Sequence, residues 1–133
     1  FYRQGVRAMS ARMVRADPRS VEKAFAFIDD ERPAGGTNIF DALHQAFNPV
    51  EVVDSGARIT SRNWDGLVDT VFLLSDGQPN YGRFTSAGEM VRELTRLDVY
   101  RKIVVHAIGI GDHDESFLKD LAASTGGEYA GFE

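Results

Sequence analysis

The stretch VFLLSDGQPN, residues 71–80, runs four apolar residues into Ser75, Asp76 and a turn containing Gly77 and Pro79. Together with Thr70 it makes TVFLLS a continuous apolar run of strand length, the pattern of a strand covered on both faces, as in parallel sheets. A buried strand that ends on a carboxylate needs a reason. In an open parallel sheet, ligands bind outside the carboxyl ends of the strands, where side chains converge without interrupting the ladder. Asp76 stands at such an end.

Downstream, Ser86 and Glu89 have capping-box spacing ahead of Met90, Val91, Leu94 and Leu97, which predicts an amphipathic helix over 87–98. KIVVHAIGIG supplies a second buried strand, 103–108. Asp114 then caps a helix carrying Phe117, Leu118 and Leu121, Gly126 and Gly127 end it, and EYAGF offers a last short strand. Upstream, Asp17 or Ser20 caps a helix of 20–30 whose Val21, Ala24, Phe25 and Ile28 recur at helical spacing, with Pro18 suited to a first turn. Pro33, Gly35 and Gly36 end that helix, and Asn38 caps a second one through Phe47, with Leu43, Ala46 and Phe47 on its inner side. The segment FYRQGVRAMSARMV reads as extended, with Gly5 in a turn and a strand over 6–13, and a chain that opens on an apolar pair begins inside an element. Residues 48–66 lack helical period; VEVV and ARIT flanking Asp54, Ser55 and Gly56 read as a surface hairpin. Strands alternating with helices through short connections predict an α/β fold: a doubly wound, mostly parallel sheet with helices on both faces.

At 133 residues the chain has room for one core, so 1–133 is read as a single domain. Its 43% hydrophobic and 26% charged content is that of a folded protein rather than a disordered one. A formal charge of −5 with scattered arginines opposes a phosphate backbone, which argues against nucleic acid as a partner. No apolar run approaches the roughly 20 residues of a membrane helix, so no membrane insertion is expected in this segment. Cysteine is absent, which removes thiolate metal sites and disulfides without fixing a compartment.

The turn GGTN, residues 35–38, lies between two helices, and its glycines let Thr37 approach the rim where Asp76 sits. A hydroxyl and a carboxylate with no cysteine or neighbouring histidine are hard oxygen donors, suited to Mg²⁺, Mn²⁺ or Ca²⁺ rather than zinc or copper. An Asp-Gly turn after a strand and a Thr-Asn cap before a helix are the plainer roles for the same residues.

The blocks GGTNIFDAL, DTVFLLSDGQPN and VVHAIGIGDHDESFLKDLAASTGGEY, in this order and at these separations, resemble the later part of a von Willebrand factor type A domain. The resemblance covers nearly the whole chain, 48–66 being its least typical part. It implies a Rossmann-like sheet with one antiparallel edge strand and a metal ion-dependent adhesion site built from an Asp-x-Ser-x-Ser loop, a threonine and an aspartate. By motif match, Thr37 and Asp76 are the metal ligands, Asn38 braces the first loop, and Ser75 and Gly77 shape the second.

No Asp-x-Ser-x-Ser occurs in this chain: DPRSV, DSGAR and DESFL all depart from it. In the family that loop follows the first strand, so the resemblance implies a fragment that starts within the second strand and lacks the first strand, first helix and metal loop. With Thr37 and Asp76 supplying at most two of about six oxygens, metal binding by the fragment is expected to be weak or absent. The implied function is a non-catalytic, metal ion-dependent protein-binding or adhesion module whose protein partner offers a carboxylate to the cation. The alternatives are a Mg²⁺-dependent phosphatase or phosphotransferase of the haloacid dehalogenase kind, disfavoured because Leu74 stands where such enzymes resemble Asp-x-Asp, and a metal-free scaffold of the same fold. Asp112 is a candidate partner contact on the rim. His44, His106 and His113, spread over a helix, a strand and a loop, read as structural or solvated; Trp64 and Tyr81 read as aromatics partly packed under a loop rather than exposed recognition residues, and Asp29, Asp30 and Glu31 as a solvated helix end.

Overall fold

The computed structural model describes residues 6–10, 13–32, 36–47, 68–76, 78–98 and 102–133. Among them the chain forms α1 (Pro18–Asp30), α2 (Ile39–Phe47), β1 (Thr70–Ser75), α3 (Ala87–Asp98), β2 (Val104–Ile110), α4 (Glu115–Thr125) and β3 (Tyr129–Phe132). The strands make a parallel sheet in the order β1-β2-β3, with Thr70 opposite Val104 and Ala107 opposite Tyr129. The expected hairpin at 48–66, including Trp64, lies outside the described residues.

Because successive strand residues face opposite ways, the register sorts the sheet into two unlike surfaces. One face carries Val71 and Leu73 of β1 with Val105 and Ala107 of β2, and these pack under Met90 and Leu94 of α3, Phe117, Leu118 and Leu121 of α4, and Phe40, Leu43 and Phe47 of α2. Helices α2, α3 and α4 touch in that sequence, so they form one layer over this face. On the other face, Phe72, Leu74 and Phe132 are 66%, 60% and 60% exposed. The expectation that TVFLLS is covered on both faces is therefore corrected: an apolar run shows that a strand can be buried twice over, whereas burial needs an element to cover it.

The same correction applies to α1. Asp17 accepts the Ser20 N–H at 2.9 Å and Pro18 occupies the first turn, so the helix begins as its capping residues dictate. That hydrogen bond holds the exposed Asp17 carboxyl below its ordinary range. Yet Val21, Phe25 and Ile28, the apolar stripe, are all exposed. Residues 6–10 and 13–17 form no strand, contrary to the expected 6–13, because strands persist only when paired. Arg7 instead reaches the end of α1, its guanidinium forming an ion pair with Glu31 at 2.9 Å and lying 5.5 Å from the centroid of the Phe27 ring.

Helix α4 is the most completely specified element. Asp114 accepts the Phe117 N–H at 3.0 Å, and Gly126 closes the helix in the left-handed region at φ 77°. Glu115 and Lys119, one turn apart, pair at 2.6 Å, which lowers the Glu115 pKa and raises that of Lys119. Asp114→Ala in the full-length protein is expected to cost about 1 kcal/mol, read as a lowered denaturant midpoint at constant slope. No change in midpoint would show that the cap is redundant with the packing of Phe117.

Candidate functional site

Asp76 is exposed in the bend directly after β1, and Ser75, the last residue of that strand, is buried at 7% exposure beside Gly109 of β2. Asp112 is exposed in the turn after β2, past the same end of the sheet. Gly77 lies outside the described residues. Thr37, half-buried, precedes α2 by two residues.

Asn38 is 3% exposed and is satisfied locally: its Oδ1 accepts the Asp41 N–H at 3.2 Å and its Nδ2 donates to the Asp41 carboxylate at 2.8 Å. Asn38 caps α2 and fixes the direction in which the chain leaves Thr37.

The loop opened by Asp76 closes onto this turn. The Asn80 side-chain oxygen accepts the Thr37 N–H at 2.7 Å, while the Asn80 and Tyr81 N–H groups donate to the Thr37 carbonyl at 3.1 and 3.3 Å. Both hydrogen-bonding groups of the Thr37 peptide unit are thereby tied to the segment that follows Asp76. The approach is close enough to exclude side chains from both loops. A Cβ on Gly36 would stand 2.7 Å from the Asn80 oxygen and 2.8 Å from the Tyr81 Cβ; one on Gly82 would stand 2.1 Å from the Asn38 oxygen. Gly82 also sits at φ 105°, a conformation that other residues rarely adopt. Next to this junction is an open concavity of about 520 Å³ lined by Asn38, Asp41, Asn80, Tyr81, Gly82 and Thr85.

No hydrogen bond joins the Thr37 and Asp76 side chains, and no described residue bonds to the Thr37 hydroxyl or the Asp76 carboxylate. Both are hard oxygen donors left available, and this chemistry fits a hard cation in kind. It falls short in number: among the described residues no group of three His, Asp or Glu side chains could hold a metal ion.

The three histidines are engaged elsewhere. His106 stacks on Phe72 with centroids 5.1 Å apart and accepts the Glu128 N–H at 3.2 Å. His113 bonds the Gly111 carbonyl at 2.7 Å and the Tyr129 hydroxyl at 2.6 Å, and His44 lies against the Phe40 ring at 5.8 Å. Asn80 was not among the residues singled out from the sequence, since its partner is 43 positions away and nothing local announces it.

A family model described as von Willebrand factor type A domain matches residues 4–130. The chain is 32% identical over 116 residues to inter-alpha-trypsin inhibitor heavy chain H4 of Homo sapiens, covering 86% of this chain and 12% of that protein. It is 28% identical over 122 residues to heavy chain H2 of Mesocricetus auratus, covering 91% of this chain and again 12% of the relative. Among solved structures, a von Willebrand factor type A protein from Catenulispora acidiphila superposes with a TM-score of 0.64 at 16% identity, covering 92% of this chain and 25% of that one. At that identity the likeness shows the fold alone.

Proposed function

The chain belongs to the von Willebrand factor type A family, and from that premise we propose that it is the later part of a metal ion-dependent, non-catalytic protein-binding module. Thr37 and Asp76 would hold Mg²⁺, or Mn²⁺ or Ca²⁺ in its place, and a protein partner would offer a carboxylate to the cation. The observation that carries this proposal is the locking of the Thr37 turn onto the loop opened by Asp76, with both donor side chains left without a described partner. Two oxygens are too few for a Mg²⁺ site, so the proposal includes further donors from a preceding segment with the Asp-x-Ser-x-Ser pattern. Asp112, on the same rim, is proposed as a partner contact.

A hard cation held by Thr37 and Asp76 would supply Lewis acidity able to attract a partner's carboxylate. This chain's residues supply the rest: Asp76 contributes the negative charge, Thr37 a neutral oxygen, and Asn38 and Ser75, both buried, hold the two loops in place. Leu74, two residues before Asp76, is apolar and offers no nucleophilic carboxylate at that position. Among the described residues no helix is long and apolar enough to cross a membrane.

Calorimetric titration of Mg²⁺ into the full-length protein tests the proposal. Asp76→Ala is expected to lower the affinity by at least about 100-fold, since it removes a charged ligand rather than an outer support. Affinity equal to that of the unaltered protein would refute it.

A further inference from the structure

The two-sided attachment of Asn80 to Thr37 has a consequence for the ligands themselves. We infer that Asn80 is a positioning residue for the cation site, fixing the Thr37 donor against the Asp76 loop through its side-chain oxygen. This rests on the proposal that Thr37 and Asp76 hold a cation.

Thr37 and Asp76 are 39 positions apart in sequence, and each is carried by a connecting segment rather than by a strand or helix. A bidentate arrangement of two such residues loses affinity whenever either loop wanders, because the ordering must then occur on binding. Asn80 removes that freedom. Its side chain takes the N–H of the Thr37 peptide and its main chain gives a hydrogen bond to the Thr37 carbonyl, so the Thr37 backbone is held from both sides while its hydroxyl stays free to ligate. Gly36 and Gly82 admit the contact: a methyl group at either would meet the opposite loop at under 3 Å. Pro79, buried just before Asn80, limits the backbone that presents it. Asn80 itself is exposed, and so contributes little to the core, which separates its role from that of a packing residue.

Three variants of the full-length protein decide the matter. Asn80→Ala deletes the acceptor, Asn80→Gln displaces it by one methylene while keeping its polarity, and Asn80→Asp keeps an oxygen where Thr37 N–H needs one. Mg²⁺ affinity is expected to fall about 10-fold in the alanine and glutamine variants and to be retained in the aspartate variant. The titrations run at about 0.5 M salt so that the added charge of the aspartate is screened. Amide hydrogen exchange of Thr37, followed without metal, is expected to accelerate in the first two variants and not in the third. Equal Mg²⁺ affinity in all four proteins, with Asp76→Ala still abolishing binding, would overturn the role of Asn80 and leave the cation site standing. Equal affinity in Asp76→Ala and the unaltered protein would overturn the site itself, and the role of Asn80 with it.

Discussion

The isolated 133-residue polypeptide is expected to melt over a broad range, to bind a hydrophobic dye and to associate as its concentration rises. The reason lies in the uncovered face of the sheet. Phe72, Leu74, Ile110 and Phe132 are 66%, 60%, 45% and 60% exposed, and all project from that side. At about 1.5 to 3 kcal/mol for each fully buried side chain, leaving four such groups roughly half exposed forgoes about 3 to 6 kcal/mol. A domain has only about 5 to 15 kcal/mol in all. Among the described strands β1 pairs only with β2, and a strand at the edge of a sheet favours association with another chain. Scanning calorimetry with a dye-binding control provides the measurement. A sharp transition, with calorimetric and van't Hoff enthalpies in agreement and no dye binding, would contradict the expectation.

Gly127→Ala in the full-length protein is expected to cost about 3 kcal/mol or more, while the same change at the neighbouring Gly126 costs about 1 to 2 kcal/mol. The two positions fail for different reasons. Gly126 adopts φ 77° with nothing within 4 Å of an added methyl group, so alanine there meets only the conformational penalty. At Gly127 the methyl group would stand 2.0 Å from the Val105 carbonyl oxygen and 2.6 Å from its carbon. That obstacle is the backbone of the central strand, which has no rotamer by which to give way. Gly127 is also tied through its N–H to the Ala122 carbonyl at 2.8 Å, so retreat would break the helix terminus. Denaturant midpoints of the two variants separate the effects. Equal losses would mean that the chain between α4 and β3 can shift away from β2.

Local signals explain why α4 and its boundaries were legible in the sequence: the Asp114 cap, the Phe117, Leu118 and Leu121 stripe and Gly126 all act within a few residues. The strands β1 and β2 were legible too, with β2 running to Ile110 rather than 108 because Gly109 pairs with Ser75 and Gly131, and Ile110 with Phe132. What could not be read was which neighbour each surface meets. Phe72 and Leu74 look as interior as Val71 and Leu73 in the string of letters, and only the stacking of helices on one side separates them. The absence of a strand over 6–10 is the same lesson, since Arg7 finds Glu31 and Phe27 instead of a strand partner. At the candidate site, Thr37 and Asp76 were suggested by donor chemistry and by resemblance, and Asn38 by its cap. Asn80 was invisible because its importance is a hydrogen bond to a residue in another loop.

The reciprocal fit of Gly36 against Asn80 and Tyr81, and of Gly82 against Asn38, makes the two loops inheritors of a shared constraint. A graft that transplants residues 36–38 from a homologue without residues 80–82 brings a key to a lock cut for another. Random libraries confined to one loop would be depleted of folded members for the same reason. Recombination that respects this junction must move both pieces together, although they are encoded far apart.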